Sequence, residues 1–90
     1  MIKVMVQSVG ETQTFGANNF RKRVLIGTDE GSQYPQEWEI EFVQDKVDLL
    51  DDVLEGTFVI INYNLRSNKV EKDGEDPKYF LSMQGWKIEI

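Results

Sequence analysis

The residues of this chain best suited to chemistry form one short run, Phe20-Arg21-Lys22-Arg23, which joins an aromatic ring to three cations. In an extended strand, alternation places Arg21 and Arg23 on one face, where both can contact the phosphates of a nucleic acid. The ring of Phe20 offers a surface on which a base can stack. The run therefore indicates a nucleic-acid site, with one alternative: a solvated strand end whose cations pair with Glu side chains across the sheet.

Other aromatic and basic residues extend this candidate site. Aromatic rings near strand ends can carry bases, and cations beside the loop between the last two predicted strands can contact phosphates. Each of them can instead pack against the sheet or keep it soluble. The candidate nucleic-acid-binding residues are Phe20, Arg21, Lys22, Arg23, Tyr34, Trp38, Arg66 and Lys69.

The two tryptophans admit two interpretations. Trp38 alternates with Ile40 and Phe42, which directs its side chain toward a core, and large aromatic side chains dominate small cores. Trp86 shares a predicted face with Ile88, so the same argument favours the core for it. Either indole can instead face a ligand.

Composition argues against catalysis and against binding by bulk charge. Ten basic and sixteen acidic residues give a net charge of −6, so any contact with nucleic acid must be local. Cysteine and histidine are absent, which removes disulfides, thiolate nucleophiles and most zinc sites. Glu37, Glu39 and Glu41 stand about 7 Å apart along one strand face, too far to share a proton. We expect that the protein is not an enzyme and that it binds neither a metal ion nor a cofactor.

Length predicts one domain, residues 1–90, since single cores of this size rarely divide. The first residues alternate apolar with polar side chains, unlike a secretory signal, and no stretch is long enough to span a membrane. We expect a cytoplasmic protein.

Hydrophobic periodicity predicts five strands and one helix. The strands are residues 2–6, 20–26, 38–42, 57–65 and 79–90. Helical spacing of Val47, Leu50, Val53 and Leu54 predicts a short helix with Asp45 as its N-cap and Gly56 as its stop. Polar residues predict loops at 28–33 and 68–77, and Gly85 predicts a bulge or bend in the last strand.

This order of elements, three strands, a helix and two strands, predicts an all-β domain with one short helix. We expect the five-stranded Greek-key barrel of the OB-fold, which commonly binds single-stranded nucleic acid or oligosaccharide. A two-layer α+β sheet is the alternative, because sequence patterns specify strand order poorly.

Several short stretches carry a family resemblance. They are Gln36-Glu37-Trp38, Asp45-Lys46-Val47-Asp48-Leu49-Leu50, Leu54-Glu55-Gly56-Thr57-Phe58-Val59-Ile60, Leu65-Arg66-Ser67 and Trp86-Lys87-Ile88-Glu89, together with Phe20-Arg21-Lys22-Arg23. In this pattern the chain resembles bacterial single-stranded DNA-binding proteins, and more closely a small uncharacterised bacterial domain family patterned like them. The resemblance implies an OB-fold that binds single-stranded nucleic acid without sequence preference, in replication, recombination or repair, and assembles as a homodimer or homotetramer.

A rival hypothesis assigns the chain the same fold but no nucleic-acid ligand. Net charge −6 and the row of Glu37, Glu39 and Glu41 favour a protein-interaction or oligomerisation module. The two hypotheses differ on whether the three cations from Arg21 to Arg23 are free or neutralised by this row of Glu residues in the folded chain.

Overall fold

The computed structural model describes residues 1–29, 31 and 33–90. These residues form six strands and one 3-10 helix: β1 (Ile2–Val9), β2 (Gln13–Phe15), β3 (Phe20–Thr28), β4 (Glu37–Val43), the helix (Gln44–Leu50), β5 (Phe58–Val70) and β6 (Lys78–Glu89). Glu30 and Ser32, which fall in the predicted loop at 28–33, lie outside the described residues. The prediction of a mostly β chain with one short helix is confirmed.

Five of the strands close into a continuous sheet. Around the closed sheet the order is β1, β3, β4, β6 and β5, and β5 returns to β1. Every pairing in this circuit is antiparallel except the short parallel contact between β4 and β6, where Ile40 lies opposite Met83. Closure excludes the alternative of an open two-layer sheet.

The core lies inside this closed sheet, under the 3-10 helix. Inward-facing residues alternate with outward ones through most of the closed sheet, and the helix adds Val47 and Leu50. The fully buried apolar set is Val4, Val6, Leu25, Ile40, Phe42, Val47, Leu50, Val59 and Ile61. Trp38 is half-buried and packs against this core, as its alternation with Ile40 predicts.

Trp86 does not join the core, and the prediction that favoured burial for it is wrong. It is 45% exposed. The pairing of β5 with β6 shifts between Asn62, opposite Lys87, and Tyr63, opposite Gly85, so Trp86 is the extra residue of a β-bulge. The bulge at Gly85 was predicted, but its effect on the alternation of β6 was not.

Two glycines let the strands approach closely enough to close the sheet. A Cβ on Gly85 would collide with the ring of Phe42, and a Cβ on Gly27 would lie 2.5 Å from a methyl carbon of Val4. Both glycines are buried among core residues. Any larger residue at either position must push a buried side chain aside.

The helix differs from its prediction in type and length. It is a 3-10 helix of seven residues that ends at Leu50, and Val43, with no side-chain hydrogen bond, occupies the N-cap position predicted for Asp45. Val53 is buried beyond its end, whereas Leu54 is 68% exposed. Gly56, with φ of 85°, lies in a separate turn and donates its N–H to Val6 O at 2.7 Å, so it is not the helix stop.

No helix in the described part of the chain is long and apolar enough to cross a membrane.

A two-stranded arm extends beyond the closed sheet. β5 and β6 remain paired from Asn64 opposite Gln84 to Val70 opposite Lys78, although the sequence predicted a loop from residue 68. We call residues 64–82 the arm; its side chains are exposed except for the partly exposed Ser82. The radius of gyration is 14.7 Å, against about 12 Å expected for a compact chain of this length.

The short strand β2 was not predicted. It pairs with the start of β3, with Phe15 opposite Phe20, and Gly16 at φ of 70° and Asn19 at φ of 52° make the turn between them. Its three residues are all exposed, so hydrophobic periodicity gave no signal.

Gly85→Ala should lower the free energy of unfolding by about 1–3 kcal/mol, because the added methyl group overpacks against the ring of Phe42. Urea denaturation measures the loss. Combining the change with Phe42→Leu, which removes ring atoms at the collision, should cost less than the sum of the single losses. Strictly additive losses would contradict the close contact.

Candidate nucleic-acid interface

The basic cluster (Arg21, Lys22 and Arg23) is paired with carboxylates in the folded chain. Lys22 Nζ lies 2.8 Å from Glu41 Oε1, and Arg23 Nη1 lies 2.8 Å from Asp51 Oδ1. A longer pair joins Arg21 Nη2 to Asp45 Oδ1 at 3.6 Å. Each cation of the cluster therefore has an anionic neighbour before any phosphate arrives.

Arg23 is held more firmly than the other two. Its Nε donates to Gly10 O at 2.7 Å, and Nη1 donates to Val47 O at 3.4 Å as well as to Asp51. Its side chain is only 18% exposed. Arg23 thus ties the segment after β1 to the 3-10 helix, which makes it a structural residue in this geometry.

The row of acids on β4 lies on the outer surface beside β3. Glu37, Glu39 and Glu41 are opposite Thr28, Ile26 and Val24 in the ladder. Only Glu41 of the row pairs with the basic cluster; the other partners, Asp45 and Asp51, lie in and after the helix. No three acidic side chains among the described residues are placed to hold a metal ion.

The arm has one face that joins free cations to an aromatic ring. Val70 lies opposite Lys78, Asn68 opposite Phe80 and Arg66 opposite Ser82, and residues two apart on a strand share a face. Arg66, Lys78 and Phe80 therefore lie on the same side of the arm, which we call the basic face. In the described part of the chain, neither Arg66 nor Lys78 has a carboxylate partner. Phe80 is 57% exposed.

The opposite face of the arm is mainly apolar. Leu65, Tyr79 and Leu81 are 58%, 66% and 71% exposed and lie on the side of the sheet that buries Met83. Lys69, predicted to close the nucleic-acid groove together with Arg66, lies opposite Tyr79 on this face, and its Nζ lies 2.8 Å from Glu71 Oε1. The structure therefore separates the predicted residues Arg66 and Lys69 onto opposite faces.

The predicted aromatic residues do not form one surface. Tyr34 is 73% exposed in the segment between β3 and β4, and Phe20 is 39% exposed at the start of β3. Trp38 is half-buried against the core, so its ring is not an open stacking platform.

Lys78 and Phe80 were missed by the sequence analysis. Their signal was partial, because apolar and polar residues alternate only from Leu81 to Gln84, after the apolar run of Tyr79, Phe80 and Leu81. It could not be used while residues 68–77 were interpreted as a loop, since residues 66 and 80 share a face only when the two strands continue to pair. How far β5 and β6 remain paired therefore determines which residues share a face of the arm.

Comparison with protein-family profiles matches residues 1–89 to a domain of unknown function, DUF3127. The chain belongs to the DUF3127 family. The DUF3127 match spans the basic cluster, the closed sheet and the arm together, so all three are parts of the family's domain. A comparison with curated proteins gave no match.

Arg23→Met should lower the free energy of unfolding by about 1.5–3 kcal/mol, because two backbone carbonyls and Asp51 lose a charged donor. Arg21→Met is the matched control on the same strand face. It should change stability by less than about 0.5 kcal/mol, since its one ion pair is long and exposed. Equal losses in urea denaturation would contradict the structural role of Arg23.

Proposed function

We propose that this chain is an OB-fold that binds single-stranded nucleic acid weakly and without sequence preference through the basic face of the arm. Arg66 and Lys78 contact phosphates and Phe80 stacks a base. This moves the centre of the predicted site from the basic cluster, whose cations have carboxylate partners, to the hairpin.

Strand order supports the OB-fold. When the short β2 is set aside, the five remaining strands follow the circuit first, second, third, fifth and fourth, and the helix lies between the third and the fourth. The third and fifth strands are parallel neighbours. A five-stranded Greek-key sheet of this kind uses the loop between its last two strands to bind oligonucleotides.

The observation that carries the proposal is the contrast between paired and unpaired cations. A phosphate approaching Lys22 or Arg23 must displace a carboxylate 2.8 Å away, whereas Arg66 and Lys78 have no such partner in the described part of the chain. Lys78 and Phe80 are two residues apart on one strand, roughly 7 Å, which suits a phosphate and a neighbouring base. With about two phosphate contacts, log K should fall against log salt with a slope of about −1.4.

Charge reversal tests the site. Arg66→Glu combined with Lys78→Glu should weaken binding of a fluorescently labelled thymidine oligonucleotide of about 30 bases by at least about tenfold at low salt, because two phosphate contacts become repulsive. Fluorescence anisotropy measures the change.

Two controls accompany this measurement. Lys46→Glu reverses an exposed cation on the 3-10 helix that has no carboxylate partner among the described residues, and it should change affinity by less than about twofold. Arg21→Glu reports on the basic cluster directly. If Arg21→Glu lowers the affinity for the oligonucleotide more than the Arg66→Glu and Lys78→Glu double variant does, the binding site lies on the basic cluster instead.

Phe80→Ala tests the stacking contact separately from charge. Loss of one stacked base costs roughly 1–3 kcal/mol, so Kd should rise about 5- to 150-fold with the salt slope unchanged. Phe58→Ala, which removes another aromatic ring that is 51% exposed, is the matched control. Equal effects of the two variants would contradict a specific role for Phe80.

A second candidate function is a protein-interaction or oligomerisation module without nucleic-acid binding. The three carboxylate partners of the basic cluster favour it, together with the acidic row beside β3. Absence of any anisotropy change with the unmodified protein at low salt would select this function.

A further inference from the structure

We propose that the apolar face of the arm, Leu65, Ser67, Lys69, Tyr79 and Leu81, packs against the same face of a second copy of this chain. Two arms meet face to face about a twofold axis, and the basic faces of both arms remain exposed on the outside. This apolar face is the side of the arm opposite the basic face, which carries the proposed nucleic-acid site.

The apolar face is the continuation of the core beyond the closed sheet. Along β5, buried Ile61 is followed by partly buried Tyr63 and then by exposed Leu65; along β6, buried Met83 is preceded by exposed Leu81 and Tyr79. These side chains follow the same inward-facing alternation. No other described element pairs with the arm or covers this side of it.

The area is sufficient for a symmetric pair. Leu65, Tyr79 and Leu81 are each 58–71% exposed, and at roughly 200 Å² for a free side chain they offer about 400 Å². Ser67 and the half-exposed Lys69 bring this to roughly 500 Å² per copy, or roughly 1,000 Å² in total, which is about the minimum for a biological interface and fits a weak dimer.

Charge favours a second copy over a charged partner. The chain carries a net charge of −6, yet the ion pair of Lys69 with Glu71 leaves the apolar face without net charge. A twofold interface must be complementary to itself, and a neutral apolar strip meets this condition without opposing like charges. Pairing of the arms edge to edge is less favourable, because both open edges carry cations, Arg66 and Lys69 on β5 and Lys78 on β6.

Sedimentation velocity tests the proposal with two adjacent residues that face opposite ways. Over about 10–500 µM the unmodified chain should form a dimer, and Leu81→Glu should raise its dissociation constant at least about tenfold. Phe80→Glu, a similarly exposed residue on the basic face, should leave the dimer intact while weakening oligonucleotide binding. A chain that is monomeric throughout, or a dimer more sensitive to Phe80→Glu than to Leu81→Glu, would overturn the proposal.

The absence of cysteine provides a second test that does not depend on a charged variant remaining folded. Ser67→Cys places one thiol on the apolar face and Asn68→Cys places one on the basic face. A bismaleimide with a spacer of about 10 Å should cross-link the Ser67→Cys protein between chains at least about tenfold faster than the Asn68→Cys protein, because packed sheet faces lie about 10 Å apart, beyond the reach of a disulfide. Equal rates would overturn the face-to-face pairing, whereas failure of nucleic-acid binding alone would leave it standing.

Discussion

Contact between Gly85 and the ring of Phe42, together with the contact between Gly27 and Val4, allows short strands to close around one core. Five strands enclose little volume, so an inward side chain at every position would overfill it. A bulge follows Gly85 directly, and the added residue turns β6 so that it can pair with both β4 and β5. The remaining features of the surface follow from where this closure leaves each strand.

Closure places the basic cluster and the two cations of the basic face in different surroundings. The start of β3 lies beside the helix and the end of β4, so its cations meet carboxylates there, and Arg23 joins three segments. The end of β5 and the start of β6 extend past the closed sheet and pair only with each other. Arg66 and Lys78 therefore lie on a two-stranded arm, with no carboxylate partner in the described part of the chain. The same closure gives the arm an apolar side and a basic side.

Sequence patterns predicted the elements that bury one face and missed those that do not. Alternation identified β4 and the core residues Ile40 and Phe42, because burial imposes the period of two. The arm and β2 carry no buried face, so their pairing depends on cross-strand contacts that a single sequence does not specify. Glu41, the partner of Lys22, was among the cross-strand acids that the sequence offered. Asp45 and Asp51 were missed, because they reach β3 only after the helix packs across the end of the sheet.

The basic face of the arm, rather than the basic cluster, is the surface that we expect to bind single-stranded nucleic acid. The most direct measurement is a titration of the ¹⁵N-labelled chain with a thymidine oligonucleotide at low salt, followed residue by residue through amide chemical shifts. We expect the largest shifts at Arg66, Asn68, Lys78 and Phe80, with small changes from Arg21 to Arg23. Shifts centred on Arg21 to Arg23, or no shifts at all, would contradict this assignment.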